Sequence, residues 1–282
     1  MKKNILLLGL LLVMGSAAFA ECEYECVAPY NMNNKFRAAL SNVVGANALT
    51  EMKLESILKK EVLKIASADN LKINIDSFSP KDLKNGIFKG MHVKGDNVVI
   101  NDVYLSTLKL DTLCDFNYIR QSGKEIVFVE AMPLEFEVSM DSDAINKTVA
   151  NAKYQKIVRD LNKLLSSYGV GIQVSSTKMT IKNNKLYYVI GFDLPFIAKE
   201  HKIVIQSGLK VKNGKIDFSR TQLVSNNMNL KLTKLDFILN YLNPLDFSVN
   251  IFDKKDAKVN VKNVELKEDK VYAQGVILVP KD

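Results

Sequence analysis

Histidine can act as a catalytic base or as a metal ligand, and this chain of 282 residues contains only two, His92 and His201. Each lies in a stretch where apolar and polar residues alternate, a pattern typical of β-strands. A Ser-His-Asp triad needs an imidazole held beside a nucleophile, and a zinc site needs several His or Cys ligands at short spacing. Neither histidine has such neighbours in the sequence, so we interpret both as ordinary strand residues.

Paired carboxylates are the other candidates for catalysis, because two of them can act as acid and base in glycoside hydrolysis. Asp141 and Asp143 stand at a predicted helix start, and Asp253 and Asp256 stand in a lysine-rich turn, where capping and solvation account for them. The patterns G-x-S-x-G and G-x-x-x-x-G-K-[ST] do not occur, and the chain has no tryptophan. We therefore predict a protein that is not an enzyme and that uses neither a cofactor nor a metal.

The first residues, Met1–Ala20, have the pattern of a secretory signal peptide. Lys2 and Lys3 precede an apolar run, Ile5–Met14, and Ala18-Phe19-Ala20 is a small-x-small cleavage site. The apolar run is too short to span a membrane. We expect an exported protein that is soluble in the periplasm or cell envelope after cleavage.

Export would place three cysteines, Cys22, Cys26 and Cys114, in an oxidising compartment. A lipid anchor on Cys22 is disfavoured, because Glu21 stands where a small residue would be needed. A local disulfide between Cys22 and Cys26 is the pairing that we name. Cys26 with Cys114 is the alternative, and spacing does not choose between the two.

The chain is basic, and the removal of Lys2 and Lys3 would lower its net charge by two from +8. The remaining lysines are spread along the chain rather than clustered, which favours a solvated surface. A second interpretation is mild attraction to the anionic headgroups of a membrane that the protein contacts transiently. No basic cluster alternates with aromatic residues, so we expect no nucleic-acid partner.

The stretch Asn85–Asp115 organises the predicted sheet. Its apolar residues recur at every second position, which indicates half-buried strand. The alternation changes phase at Asn101–Asp102 and at Ser106–Thr107, and we expect a bulge or a tight turn at each point. Further turns are predicted at Asn183-Asn184, Asn213-Gly214 and Glu268-Asp269.

Two amphipathic helices are predicted among the strands. Apolar residues recur at helical spacing over Thr50–Ala66, and Thr50 is a suitable cap. A stronger pattern begins at Asp141 or Ser142, continues through Tyr168 and ends at Gly169. These elements predict an α+β fold, in which an elongated, strongly curved antiparallel sheet wraps around one long amphipathic helix, with a shorter N-terminal helix. The predicted organisation is a signal peptide (1–20), an irregular or short-helical leader (21–49) and a single elongated domain (50–282).

From about Leu54 to Val279 the chain resembles the LmeA-like family of exported bacterial phospholipid-binding proteins. The segments that carry the resemblance are NGIFKG, VVINDVYLSTLKLD, AMPLEFEVSM, DSDAINKTVANA, LKVKNGKIDFS, LNPLDF and VNVKNVELKEDKVYAQGVIL. The resemblance implies phospholipid binding in the cell envelope and a fold similar to tubular lipid-binding domains. It implies no catalytic residues.

The expected function is to bind or transfer a phospholipid or another acyl lipid in an apolar groove, as part of cell-envelope lipid homeostasis. The alternative is a structural or interaction protein of the envelope with a closed core and no ligand. The residues expected to line the groove are Phe88, Val98, Ile100, Leu108, Leu110, Phe136, Leu161, Leu165, Ile190 and Phe192.

Overall fold

A computed structural model describes residues 24–28, 46–122, 125–167, 169, 171–194, 197–226, 232–246 and 257–282. The expected signal peptide, the N-terminal residues up to 23 with Cys22, and the leader from 29 to 45 lie outside the described residues.

The largest sheet has six antiparallel strands. In spatial order they are β1 (Ala66–Asp76), β3 (Gly90–Ile100), β4 (Val103–Thr112), β7 (Met132–Asp141), β13 (Lys270–Val279) and β12 (Lys258–Lys267). Buried and exposed residues alternate along the second half of β1 and the middle of β7, so these parts have one face toward the core and one polar face, whereas both ends of β7 and the second half of β13 have consecutive buried residues.

Two smaller antiparallel sheets complete the β structure. The four-stranded sheet has the order β11 (Lys215–Asn226), β10 (Ile197–Lys212), β9 (Lys185–Leu194) and β8 (Gln173–Lys182). The three-stranded sheet has the order β2 (Ile87–Phe88), β5 (Asn117–Ser122) and β6 (Glu125–Phe128).

The helices of the described residues are α1 (Ala46–Ile65), α2 (Pro80–Lys84), α3 (Ser142–Ala150), α4 (Ala152–Ser167) and α5 (Leu232–Tyr241). The predicted architecture of one curved sheet around one long helix is wrong. Among the described residues the structure is mostly β, with three antiparallel sheets and separate helices of 5 to 20 residues instead of one long helix wrapped by a sheet. The N-terminal helix α1, with 20 residues, is longer than α4, with 16.

Asn151 is the physical reason why the predicted helix through Tyr168 divides into two. Its backbone is extended, with φ −72° and ψ 163°, so it ends α3. Its side-chain oxygen accepts a hydrogen bond from the Tyr154 amide at 2.9 Å, which caps α4, and its amide donates to the Asp102 carbonyl. The predicted cap of α3 is present, because the Ala144 amide donates to the Asp141 carboxylate at 2.9 Å.

The predicted two-residue turns are confirmed. At Asn101-Asp102, Asn183-Asn184, Asn213-Gly214 and Glu268-Asp269 both central residues have positive φ, which suits the right-handed twist of the flanking strands. At Ser106–Thr107, in contrast, β4 continues without a turn, and its register with β3 is the same on both sides.

The sheets and helices share one hydrophobic cluster that extends along the chain from Leu58 to Val279. A disulfide joins Cys26 to Cys114, which are separated by 88 positions in the chain. The pairing that we named from the sequence, Cys22 with Cys26, is therefore replaced by its alternative. The reason is tertiary: Cys114 follows the end of β4, and the exposed segment 24–28 lies beside it.

Candidate functional site

The residues expected to line a lipid groove all belong to, or pack against, the common core. Ile100 and Leu110 are half-buried at its edge, and the other eight are buried. They come from β2, β3, β4, β7, α4 and β9, so the fold brings together side chains that are far apart in sequence. The buried members are Phe88, Val98, Leu108, Phe136, Leu161, Leu165, Ile190 and Phe192, none of them more than 9% exposed.

A buried pair of tyrosines lies within the same core. The Tyr154 hydroxyl on α4 and the Tyr188 hydroxyl on β9 are 2.9 Å apart, and both donate to the Leu242 carbonyl, at 2.7 and 3.0 Å. Burial raises the pKa of Tyr154 to about 12, and burial also raises the pKa of Tyr188 well above its ordinary value. The two hydroxyls satisfy the carbonyl just beyond the end of α5 and hold that helix against the core.

Helix α1 covers the edge of the large sheet and has two different faces. On the inner face, Leu58 is buried, the Glu55 carboxylate accepts a hydrogen bond from the Ile75 amide at 3.0 Å, and the Lys59 ammonium donates to the Leu71 carbonyl at 2.8 Å. The outer face exposes large apolar side chains among lysines. They are Met52 at 64%, Leu63 at 45% and Ile57 at 39% exposure.

Charged side chains form rows across the polar face of the six-stranded sheet. Strand register places Lys72 opposite Lys94, Lys94 opposite Lys109, and Lys109 opposite Glu137. Side chains directly opposite one another in antiparallel strands lie on the same face, with Cβ atoms about 4.5–5.5 Å apart. Three lysines therefore stand side by side across three adjacent strands.

His92 bridges two carboxylates in the neighbouring row. Its Nδ1 lies 2.5 Å from Asp111 Oδ1, and its Nε2 lies 3.3 Å from Asp76 Oδ2. The hydrogen bond with Asp111 raises the pKa of His92 above its ordinary value. Because both ring nitrogens face carboxylates, the protonated form of the imidazole is favoured, and the ring is poorly placed to act as a base for a nucleophile.

Asp111 joins His92 to the lysine row. Its other oxygen lies 2.9 Å from the Lys109 ammonium, which is also 3.4 Å from Glu137. Burial pushes the pKa of Asp111 upward, but hydrogen bonds from His92 and Lys109 outweigh this, so its pKa lies below its ordinary value. The hydrogen bond with Asp111 also raises the pKa of Lys109.

A groove of about 520 Å³ lies over the lysine row. Its size falls in the range of about 300–1,000 Å³ that is usual for small-molecule sites. The groove is lined by Asn70, Lys72, Lys94, Gly95, Asp96, Thr107, Leu108, Lys109, Glu137, Val138 and Tyr272.

Sequence reasoning missed the lysine row and the His92 bridge. Residues 72, 94 and 109 are far apart in the chain, and they meet only through the pairing of β1 with β3 and of β3 with β4. The available signal was the alternation itself, because each of these residues falls on the polar phase of its strand.

Comparisons of the chain with known protein families, with curated proteins and with solved structures give no match. Within the described ranges, no helix combines the length and apolar character that a membrane crossing requires. Among the same residues, no three His, Cys, Asp or Glu side chains are arranged to hold a metal ion.

Proposed function

We propose that this is an exported, non-enzymatic protein that binds a phospholipid or another acyl lipid against its apolar core and contacts the membrane surface transiently through α1. Its role would be in the lipid homeostasis of the cell envelope. The observation that carries the proposal is the outer face of α1, where large apolar side chains are exposed beside lysines although the opposite face is packed on the core.

The position of Met52 and Leu63 on one side of α1 supports a contact of this helix with a membrane surface. Met52 and Leu63 are three helical turns apart and project on one side, and the exposed Lys53 and Lys60 lie next to them. Apolar side chains at the boundary of the acyl region, with basic side chains at the headgroups, are the features of an interfacial helix. Each lysine near an anionic surface adds on the order of 1 kcal/mol.

The edge between α1 and the sheet is the proposed route to the core. Leu54 and Val62 on α1, and Ala68 and Ile100 on the strands beneath, are only partly buried where they pack against the cluster. An acyl chain inserted along this edge would extend the apolar core rather than cross a polar layer. Each methylene removed from water contributes about 0.8 kcal/mol, so one chain supplies on the order of 10 kcal/mol before the costs of association.

Vesicle co-sedimentation tests the membrane contact. We expect the wild-type protein to pellet with vesicles of phosphatidylglycerol and phosphatidylcholine more than with phosphatidylcholine alone, and less at high salt. The double substitution Met52→Glu and Leu63→Glu should abolish pelleting. Val224→Glu is the matched control, because Val224 is a 55% exposed apolar residue on β11. Equal pelleting of the double variant and the wild type would overturn the role of α1.

A second candidate is a structural or interaction protein of the envelope with a closed core and no ligand. The burial of eight of the expected groove residues to 9% exposure or less favours it. The two proposals differ in one property, the uptake of lipid by the folded protein, because a closed core has no room for an acyl chain without rearrangement.

A further inference from the structure

Strand register brings the like charges of Lys72, Lys94 and Lys109 side by side on one face of the sheet. Like charges directly opposite one another on adjacent strands repel and destabilise the pairing. Here the pairing of Lys72 with Lys94 and of Lys94 with Lys109 places two such contacts in succession. Opposite charges at these paired positions would give a more stable sheet surface than three lysines.

Among the described residues, carboxylates pair with the lysine row at the Lys109 end. Lys109 has the carboxylates of Asp111 at 2.9 Å and Glu137 at 3.4 Å. In the parts of the chain that the structure describes, no carboxylate lies within 4.0 Å of the ammonium group of Lys72 or Lys94. Among the described residues, Lys72 and Lys94 therefore have no ion-pair partner, although the carboxylates of Asp96 and Glu137 also line the groove.

The groove supplies polar groups around this pair. Asn70 adopts positive φ, and its side-chain amide donates to the Asp96 carboxylate on the adjacent strand at 3.3 Å. The Asp96 carboxylate, which also lines the groove, is thus held by Asn70. The Thr107 hydroxyl lies 2.7 Å from the Ser139 hydroxyl, which fixes its position at the groove wall.

We propose that this groove binds a soluble, phosphate-bearing small molecule, with the ammonium groups of Lys72 and Lys94 as the charge partners of its phosphate. A phosphate group carries more than one charge and several acceptor oxygens, so it can contact two ammonium groups separated by the spacing of adjacent strands. The groove of about 520 Å³ accommodates more than a single phosphate, which favours a phosphorylated organic molecule or a diphosphate.

This inference does not depend on the proposed lipid function. The lipid proposal rests on α1 and the apolar core, whereas this inference rests on exposed lysines of the sheet, although Leu108 and Val138 belong to the core and also line the groove. Failure of either proposal leaves the other standing.

Isothermal titration with pyrophosphate at low salt tests the proposal on the full mature chain. We expect saturable binding to the wild type and at least tenfold weaker binding to the double variant Lys72→Gln, Lys94→Gln. The matched control is Lys178→Gln with Lys262→Gln, which removes two exposed strand lysines outside the groove and should change the affinity less than twofold. Absence of pyrophosphate binding to the wild type, or equal weakening in both double variants, would overturn the proposal.

Thermal unfolding of the same variants shows whether weaker binding is due to misfolding. Removal of the repulsion should raise the melting temperature of Lys94→Gln at low salt, and pyrophosphate should raise the melting temperature of the wild type but not of the groove double variant.

A competition experiment distinguishes a lipid phosphate from a soluble phosphate as the ligand. If phosphatidylglycerol vesicles displace pyrophosphate at equal phosphate concentration, whereas soluble glycerol phosphate does not, the face is a membrane contact and the proposal is wrong.

Discussion

Asn146 on α3 forms a two-way hydrogen-bond pair with the backbone of Met179 on β8. Its amide donates to the Met179 carbonyl at 2.7 Å, and its oxygen accepts from the Met179 amide at 2.9 Å. Asn162 on α4 makes the same pair with Val174, at 2.9 and 2.8 Å. Because β8 is an edge strand of its sheet, the two asparagines take the place that a neighbouring strand would occupy.

The first prediction follows from this cover of the β8 edge. Asn146→Ala and Asn162→Ala should each lower the free energy of unfolding by about 1–3 kcal/mol, because each leaves a partly buried amide and carbonyl without partners. Chemical denaturation measures the loss. The double variant should also aggregate at lower concentration, through pairing of exposed edges. Unchanged stability in both single variants would contradict the assigned role, and Asn240→Ala, at an exposed position on α5, is the control.

The buried pair of Tyr154 and Tyr188 predicts that substitutions of the two tyrosines have non-additive effects on stability. Tyr154→Phe or Tyr188→Phe leaves one hydroxyl on the Leu242 carbonyl, so each should cost about 1 kcal/mol. The double variant leaves that carbonyl unpaired and should cost more than the sum of the two, by on the order of 1 kcal/mol. A double-mutant cycle from urea denaturation measures the difference. If the losses of unfolding free energy in the single variants add up to that of the double variant, the two tyrosines are not coupled through the Leu242 carbonyl.

The same pair predicts how stability responds to alkaline pH. Burial raises both tyrosine pKa values above the unfolded value of 10, so their contribution is complete below pH 10 and is lost as the pH rises through the folded values. The wild type should therefore lose stability between pH 10 and about 12. The double phenylalanine variant should lose less over that range, and parallel curves would be the contrary result.

Disulfide removal tests the pairing of Cys26 with Cys114. The bond closes a loop of 88 residues, for which chain entropy predicts a stabilisation of about 2–5 kcal/mol. Cys26→Ser should lower the free energy of unfolding by that amount, and Cys22→Ser, the control, should not change it. Peptide mapping under non-reducing conditions identifies the bond directly, and a fragment that links Cys22 to Cys26 would refute the assignment.

His92 yields a prediction at acid and neutral pH. Its pKa is raised by Asp111, so its contribution to stability is complete below the unfolded value of 6.5 and is lost as the pH rises through the folded value. His92→Gln should therefore be more destabilising near about pH 5 than near about pH 9. The pair is partly exposed, which limits the difference to about 1 kcal/mol. An equal effect at both pH values would mean that His92 carries no charge in the fold.

Local chemistry was predictable from the sequence, and non-local pairing was not. The turn at Asn213-Gly214 and the cap at Asp141 depend on residues within a few positions, and both are present. The sequence did not predict that Asn151 separates two helices, because asparagine is also tolerated within a helix. Its role as a cap depends on its contacts with Asp102 and Tyr154.

The candidate sites show the same division. Alternation assigned the apolar residues to the core, because burial of one strand face follows from sequence phase alone. The neighbours of Lys94 and the partner of Cys26 depend on strand register and on a contact across 88 residues, which one sequence does not encode locally. The closeness of the packing around Phe136 and Ile190 likewise emerges only when all the elements are assembled.

Native mass spectrometry of the folded, delipidated protein after incubation with phospholipid tests the central claim most directly. We predict a stoichiometric adduct with the mass of one lipid molecule, formed equally by the wild type and by Val224→Glu. Spectra that show only the bare protein at every lipid concentration, with the fold intact by circular dichroism, would contradict lipid binding and leave the closed-core interaction protein as the better account.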